Sequence, residues 1–259
     1  MTDHVLAEKS NGVLTLTLNR PEKKNALTPA MYQALADGID GAEHDREVRC
    51  VLIQAEGDMF TAGNDLGDFA AASEGDPATR DRRAKGNPLL AALARAKTPL
   101  VAAVNGRAVG VGTTMLLHCD LVYLSDDALL TTPFVNLALV PEAASSLTLP
   151  ARIGHARAFA MFVLGEAVSA QQAVDWGIAN AAVPRAELRA RARKAAEAVA
   201  ARPASAVAIT KMLMRDPQGL AARMAEEGVH FSAQLQTPDA KEAFAAFAQK
   251  RAPDFSKVS

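Results

Sequence analysis

The sequence predicts an α/β core followed by a helical C-terminal subdomain. Three observations carry this. Up to about Pro150, short runs of β-branched residues and leucine alternate with helical periodicities. Beyond that point the chain turns alanine-rich and every periodic segment is helical. With 259 residues, 49% of them hydrophobic, there is enough apolar surface for a sizeable core.

The segment NGVLTLTLNRP alternates from Val13 to Leu18 and stops at Asn19-Arg20-Pro21, a half-buried strand. A helix follows with Thr28 as N-cap and Pro29 in its first position. EVRCVLIQAEG gives a strand and a turn. DMFTAGNDLGDFAAA is a loop entering a short helix, with Asp65 placed to cap a helix that begins at Leu66. The polar stretch SEGDPATRDRRAKGN reads as a mobile segment, and a helix then runs to about Lys97. Leu100 to Val104 is a strand, Asn105 to Val109 a turn, Gly110 to His118 a buried helix and Leu121 to Leu124 a further strand. The helical tail comprises RAELRARARKAAEAVAARP, SAVAITKMLMRD and LAARMAEEGVHFSAQLQTPDAKEAFAAFAQKRAP. There is no internal repeat.

Composition excludes several function classes. Lys and Arg number 28 and Asp and Glu 29, a net charge of -1, which gives no electrostatic reason to expect nucleic acid or an anionic membrane as partner. The N-terminus MTDHVLAEKSNG has no apolar signal region. The least polar stretch, Ala108 to Cys119, is too short to span a bilayer. Cys50 and Cys119 lie far apart and form no CxxC, which fits a reducing cytoplasm. The five histidines show no metal-ligand spacing, so no metal site is expected.

Two segments carry chemistry. VNGRAVGVGTT has glycines at 106, 110 and 112, a G-x3-G-x-G spacing that fails the GxGxxG dinucleotide pattern. Either these glycines only permit close packing, or they leave bare the first amides of a helix, which can hold an anion or a developing oxyanion. ALVPEAASSLTLP isolates one carboxylate, Glu142, between Asp127 and Glu166. Proline followed by glutamate is ordinary composition for a helix start. An acid set among apolar neighbours is also a candidate base, because desolvation raises a carboxyl pKa while a nearby helix N-terminus lowers it.

The blocks NRPEKKNAL, FTAGNDL, VNGRAVGVGTTMLLHCDL, PFVNLALVPEAASSLTLPARIG and LGEAVSAQQAVDWGIANAAVP occur in the order and spacing of the enoyl-CoA hydratase/isomerase (crotonase) superfamily. The resemblance spans about Val5 to Pro184. It implies a spiral of ββα units, with residues 1–195 forming the core and its acyl-CoA site and residues 196–259 a trimerisation or lid subdomain. It implies a homotrimer or dimer of trimers. Coenzyme A enters as part of the substrate, with no separate cofactor.

The resemblance also assigns residues. The N–H groups of Asn64 and Val111 would form an oxyanion hole for the thioester carbonyl. Lys23, Lys24 and Ala26, with the backbone around Ala62, Asn64 and Leu66, would line the CoA moiety; otherwise the two lysines are solvated surface charges. The two glutamates of the hydratases align with Thr114 and Phe134, so efficient hydration is not expected. Glu142 falls where the Δ3,Δ2-enoyl-CoA isomerase branch places its base, with Ala143, Ala144, Ser145 and Ser146 leaving room for an acyl chain. The leading expectation is therefore double-bond isomerisation. The alternatives are a hydratase-related or hydrolase activity, or an acyl-CoA-binding protein with decayed chemistry. Asn136 either points into the pocket or finishes a turn. His118 is expected to be structural, and Phe159 and Trp176 to pack the core. Phe244 and Phe247, with Lys250 and Arg251 beyond them, either cover the acyl site and reach CoA phosphates or form a solvated helix end.

Overall fold

The computed structural model describes residues 2–65, 67 and 86–257. Leu66 and most of the stretch expected to be mobile lie outside the described residues.

The chain starts with an antiparallel hairpin of β1 (Val5–Ser10) and β2 (Val13–Leu18), Val5 opposite Leu18 and Ser10 opposite Val13. Asn11 and Gly12 both take positive φ, 49° and 76°. This is the Asn-Gly chemistry of a two-residue hairpin turn. The sequence reading missed β1 because residues 6 to 9 of this edge strand are all exposed and show no alternation.

From β2 the chain crosses through α1 (Pro29–His44) to the parallel strand β3 (Cys50–Ala55). Thr28 Oγ1 accepts the Met31 N–H at 3.3 Å and Pro29 opens α1, as the capping signal predicts. The strand β3 pairs in parallel with β4 (Leu100–Val104), preceded by α2 (Pro88–Arg95), whose N-cap is Asn87. Residues 107–109, read from the sequence as part of a turn, instead form β5 (Arg107–Val109). Three residues are too few for a period to register, and the strand is defined only by its parallel pairing in a second sheet.

The expected buried helix 110–118 is an α-turn, α3 (Val111–Thr114), continued as a 3₁₀ turn Met115–His118, with all eight residues buried. Next come β6 (Leu121–Ser125) and β7 (Leu129–Thr131), then α4 (Ser145–Ile153), α5 (His155–Phe159) and a π-turn Ala160–Leu164. After them come β8 (Val168–Ser169), α6 (Ala170–Asp175) and β9 (Ala181–Val183). One sheet has strand order β1-β2-β3-β4-β6-β9 and the other β5-β7-β8. The chain thus spirals between two sheets, depositing helices as it turns.

The larger sheet is buried on both faces. Leu16, Leu18, Val51 and Ile53 pack under α1, and the alternate residues Val13, Cys50, Leu52 and Val101 pack under α7 (Leu188–Ala200). The helix α7 runs through position 195 and buries Ala192, Ala195 and Ala196 against this sheet. Three helices follow: α8 (Ala204–Leu213), α9 (Pro217–Gln234) and α10 (Pro238–Ala248). Phe231 and Leu235 of the tail join the main core, with Phe244 packed partly against it.

Phe159 departs from expectation. It is 52% exposed and contacts the His155 ring one turn earlier. Trp176 is half-buried, with the Arg157 guanidinium 4.8 Å above its ring. Cys50 and Cys119 are buried thiols, and burial pushes both up to about 12. Among the described residues no helix is long and apolar enough to cross a membrane.

Candidate active site

Thr61 organises the first half of the site. Its Oγ1 donates to the Asn25 carbonyl at 2.6 Å and accepts the Gly63 N–H at 3.0 Å. Its backbone bridges Ala108, fixing this loop alongside β5. Asn25 is fully buried and holds the lysine loop in shape. Its amide donates to the carbonyls of Glu56 and Met59, both at 2.8 Å, and its Oδ1 accepts the Arg20 N–H at 2.8 Å. Lys24 and Asn25 both sit at φ 52°, a left-handed pair that only such anchoring sustains. The Lys24 carbonyl in turn accepts the Ala62 N–H at 2.9 Å, and Asp65 pairs with Arg20 at 2.8 Å. That guanidinium holds the Asp65 carboxyl below its usual range. Asp65 Oδ1 also accepts the Gly67 N–H at 3.0 Å, as a cap would; the Leu66 position lies outside the described residues. Lys23 and Lys24 are exposed, and Ala26 and Ala62 are half-buried beside them.

Asn64 and Val111 are brought together by the closeness of two backbones. Gly63 has φ 88°, and a Cβ there would sit 2.8 Å from the Val109 carbonyl oxygen. Gly112 faces Thr61 as closely, its missing Cβ being 2.3 Å from Thr61 Cγ2. Gly112 therefore serves close packing, which with Gly63 sets residues 63–64 against residues 109–112, whereas a Cβ at Gly110, at φ 56°, would meet no atom within 4 Å among the described residues. The Asn64 side chain is held by the Tyr32 hydroxyl, which donates to its Oδ1 at 2.5 Å. The backbone on either side of Asn64 is fixed by Leu27, whose N–H donates to Gly63 O at 2.8 Å and whose carbonyl accepts the Asp65 N–H at 3.1 Å. Val111 opens α3, so its N–H is one of the groups a helix start leaves without an internal acceptor.

Glu142 lies on a loop that packs against the far end of the same helical run. It is half-buried, and its Oε1 is shielded from solvent. The helix α4 begins only at Ser145, and its N-cap, Ala144, has no side chain to cap with. At this helix start the Glu142 backbone carbonyl accepts the Ser145 N–H at 3.1 Å. The capping carboxylate comes from the tail: Glu227 Oε2 accepts the Ala144 N–H at 2.6 Å, and Oε1 accepts the Ser146 N–H at 2.9 Å and its hydroxyl at 2.6 Å. Between base and helix stand two alanines in left-handed conformation, Ala143 at φ 65° and Ala144 at φ 54°. Such conformations cost about 1–3 kcal/mol each for residues with a Cβ, and persist only where surrounding contacts dictate them.

His118 supplies one of those contacts. It is 1% exposed, and burial pushes it down to about 4, so the imidazole is neutral at physiological pH. Nδ1 faces Arg215 Nη2 at 3.0 Å, a donor, so Nε2 carries the proton and donates to the Ala143 carbonyl at 2.7 Å. His118 closes the run that Val111 opens, and so ties the Glu142 loop to the oxyanion segment. The sequence marked His118 as structural but gave no sign of its partner. Glu227 and Tyr32 were missed entirely, because partners 81 to 83 residues away for Glu227 and 32 residues away for Tyr32 leave no local spacing.

The remaining candidates separate. Thr114 and Phe134 are both buried. Asn136 is exposed on the 3₁₀ turn Val135–Leu137, with Oδ1 against Gly165, where a Cβ would be 2.4 Å away. In the tail, Phe247 is exposed and Arg251 pairs with Glu242 at 2.5 Å.

Residues 8–258 match the model of the enoyl-CoA hydratase/isomerase family. The chain belongs to that family. It is similar to the 1,2-epoxyphenylacetyl-CoA isomerase of Escherichia coli K12, 32% identical over 99% of both chains. It is also similar to the 2,3-dehydroadipyl-CoA hydratase of the same organism, 33% identical over 97% of this chain and 98% of the other. A solved enoyl-CoA hydratase/isomerase from Pseudoalteromonas atlantica T6c superposes with a TM-score of 0.89, 44% identity, and coverage of 98% and 100%. The protein is therefore an acyl-CoA enzyme of the hydratase/isomerase family with its fold, and family relatives carry both isomerase and hydratase names.

Proposed function

We propose that this protein moves a double bond from position 3 to position 2 of an enoyl-CoA thioester, with Glu142 as the only proton carrier. The observation that carries this reading is a single carboxylate on a strained, anchored turn, while the two positions where the family's hydratases hold glutamates are Thr114 and Phe134. Neither a hydroxyl nor a phenyl ring replaces a carboxyl acid in adding water.

In this reading the thioester oxygen receives the N–H groups of Asn64 and Val111. Glu142 removes a proton from C2 of the 3-enoyl thioester, and the negative charge moves to the thioester oxygen as an enolate. The carboxyl, now protonated, returns that proton to C4, and the double bond comes to rest between C2 and C3. One group acting as base and then acid suits a 1,3 shift in which water takes no part. The two amides are fixed dipoles where charge develops, and each such donor is worth roughly 10²–10³ in rate. Buried Val111, Phe134 and Leu139 keep the surroundings apolar. Lys23 and Lys24, exposed on the anchored loop, serve as phosphate partners for CoA, with Ala26 and Ala62 along the pantetheine; no separate cofactor or metal is needed.

The assembly we propose is a homotrimer or dimer of trimers in the cytoplasm. Exposed Ile209, Leu213 and Met214 around α8 and Val229 on α9 support it, since they give the tail a large apolar surface for other copies to cover. Purified protein is expected to convert a 3-enoyl-CoA into the absorbing 2-enoyl-CoA without mass change, and Glu142→Gln to remove most of this activity while leaving a measurable residual rate. Release of free CoA, or a product heavier by one water, overturns the reading.

A further inference from the structure

We propose that Glu227, from the C-terminal helix α9, is the positioning residue that aims Glu142, so that the helical tail is part of the catalytic apparatus. This rests on the reading of Glu142 as the base.

Glu227 is a carboxylate only 6% exposed, and the charge is directed at one short stretch of backbone. Both oxygens are used there, Oε2 on Ala144 and Oε1 on the Ser146 amide and hydroxyl. These are the first donors of α4, where a negative charge is most favoured. The three donors stabilise the charge, and burial acts the other way, raising the carboxyl above the usual range.

The location matters more than the capping. Ala143 and Ala144, the two residues after Glu142, both occupy left-handed backbone that alanine disfavours. Each is fixed from outside its own segment: Ala143 through its carbonyl by His118, which is backed by Arg215, and Ala144 through its N–H by Glu227. Of these, Arg215 follows α8 and Glu227 lies within α9, so both external anchors lead to the tail. If the turn relaxed toward ordinary backbone angles, the Glu142 carboxyl would swing relative to the oxyanion amides. A misplacement of about 1 Å in such a site costs on the order of 10²-fold in rate. With both of its oxygens turned onto the loop, Glu227 acts on Glu142 and not on substrate.

The test compares wild type, Glu227→Gln, Glu142→Gln and the double variant, reading kcat and KM on a 3-enoyl-CoA and melting by circular dichroism. Glu227→Gln keeps one acceptor but turns an NH2 toward an N–H donor. It should lower kcat by roughly 10- to 100-fold with KM within about 2-fold of wild type. The double variant should be no slower than Glu142→Gln alone, since a residue acting only through Glu142 has nothing left to position. Wild-type kcat in Glu227→Gln overturns the proposal, as does a double variant slower than Glu142→Gln by the full Glu227 factor. Wild-type turnover in Glu142→Gln strikes instead at the base assignment beneath it. Should Glu227→Gln fail to fold, Ser146→Ala keeps Glu227 and both amide bonds and removes only the 2.6 Å hydroxyl contact. A kcat loss of about 2- to 5-fold supports the proposal there, and unchanged kcat overturns it.

Discussion

Tyr32 donates its phenolic hydrogen to the side-chain oxygen of Asn64, joining the first long helix to one of the two amides assigned to the oxyanion. The bond is partly buried, and it fixes the rotamer of a residue whose backbone must hold still. Tyr32→Phe removes the hydroxyl and keeps the ring packing. A hydrogen bond of this kind is worth about 0.5–1.5 kcal/mol. Steady-state kinetics on an acyl-CoA substrate should therefore show kcat reduced by about 2- to 10-fold, with a small change in melting temperature. A variant as fast as wild type would show that Leu27 alone orients the Asn64 amide.

The second amide admits a cleaner test. Val111 is the first residue of its helix, where proline is tolerated because its missing N–H had no internal acceptor. Val111→Pro should therefore fold and yet lack the donor. Loss of one oxyanion donor predicts a kcat lower by about 10²–10³. If the folded variant retains full turnover, the oxyanion is held elsewhere.

Gly63 tests how close the two segments must be. Alanine there meets two obstacles, the positive φ of 88° and a Cβ 2.8 Å from the Val109 carbonyl oxygen. Backbone, not a flexible side chain, would have to yield, so Asn64 and Val111 would separate. We expect a stability loss of about 1–3 kcal/mol and a larger proportional loss of turnover. Melting and kinetics measured on the same preparation distinguish the two, and equal wild-type values in both would show that the segments have slack.

How far the sequence revealed this arrangement depends on how far apart the partners lie. Val13–Leu18, Leu100–Val104 and the Thr28-Pro29 cap were legible because alternation and capping are written into neighbouring residues. The three-residue strand Arg107–Val109 was not, since only its partner strand Leu129–Thr131 defines it. The same holds at the site. Asn64, Val111 and Glu142 were assigned through ordered motif blocks, and Gly63 and Gly112 stand in close approach to the neighbouring segment. The residues that hold them, Tyr32, His118, Arg215 and Glu227, act over 25 to 97 residues of chain. A buried glutamate in an alanine-rich amphipathic helix looks, in sequence, like any solvated acid on its polar face.

His118 gives the site a pH dependence whose sign can be worked out. Its folded pKa is depressed to about 4 by burial, against 6.5 for an ordinary histidine. Below pH 6.5 the unfolded chain takes up a proton that the folded one refuses, so stability falls as the pH is lowered. The loss accumulates to about 3 kcal/mol by pH 4, where the folded form also protonates and the slope ends. A protonated ring would also turn an N–H toward Arg215, which now donates to Nδ1, and the carbonyl hold on Ala143 would loosen with it. His118→Gln, which keeps a donor for Ala143 but does not titrate, should be less stable at pH 7.5 and should lose less on acidification. Denaturant midpoints of the two proteins across pH 4 to 7.5 measure this directly. Parallel curves would mean that the carboxylates held below their usual range, Asp65 and Glu242 among them, account for the acid response and that the imidazole is not the group that gives way.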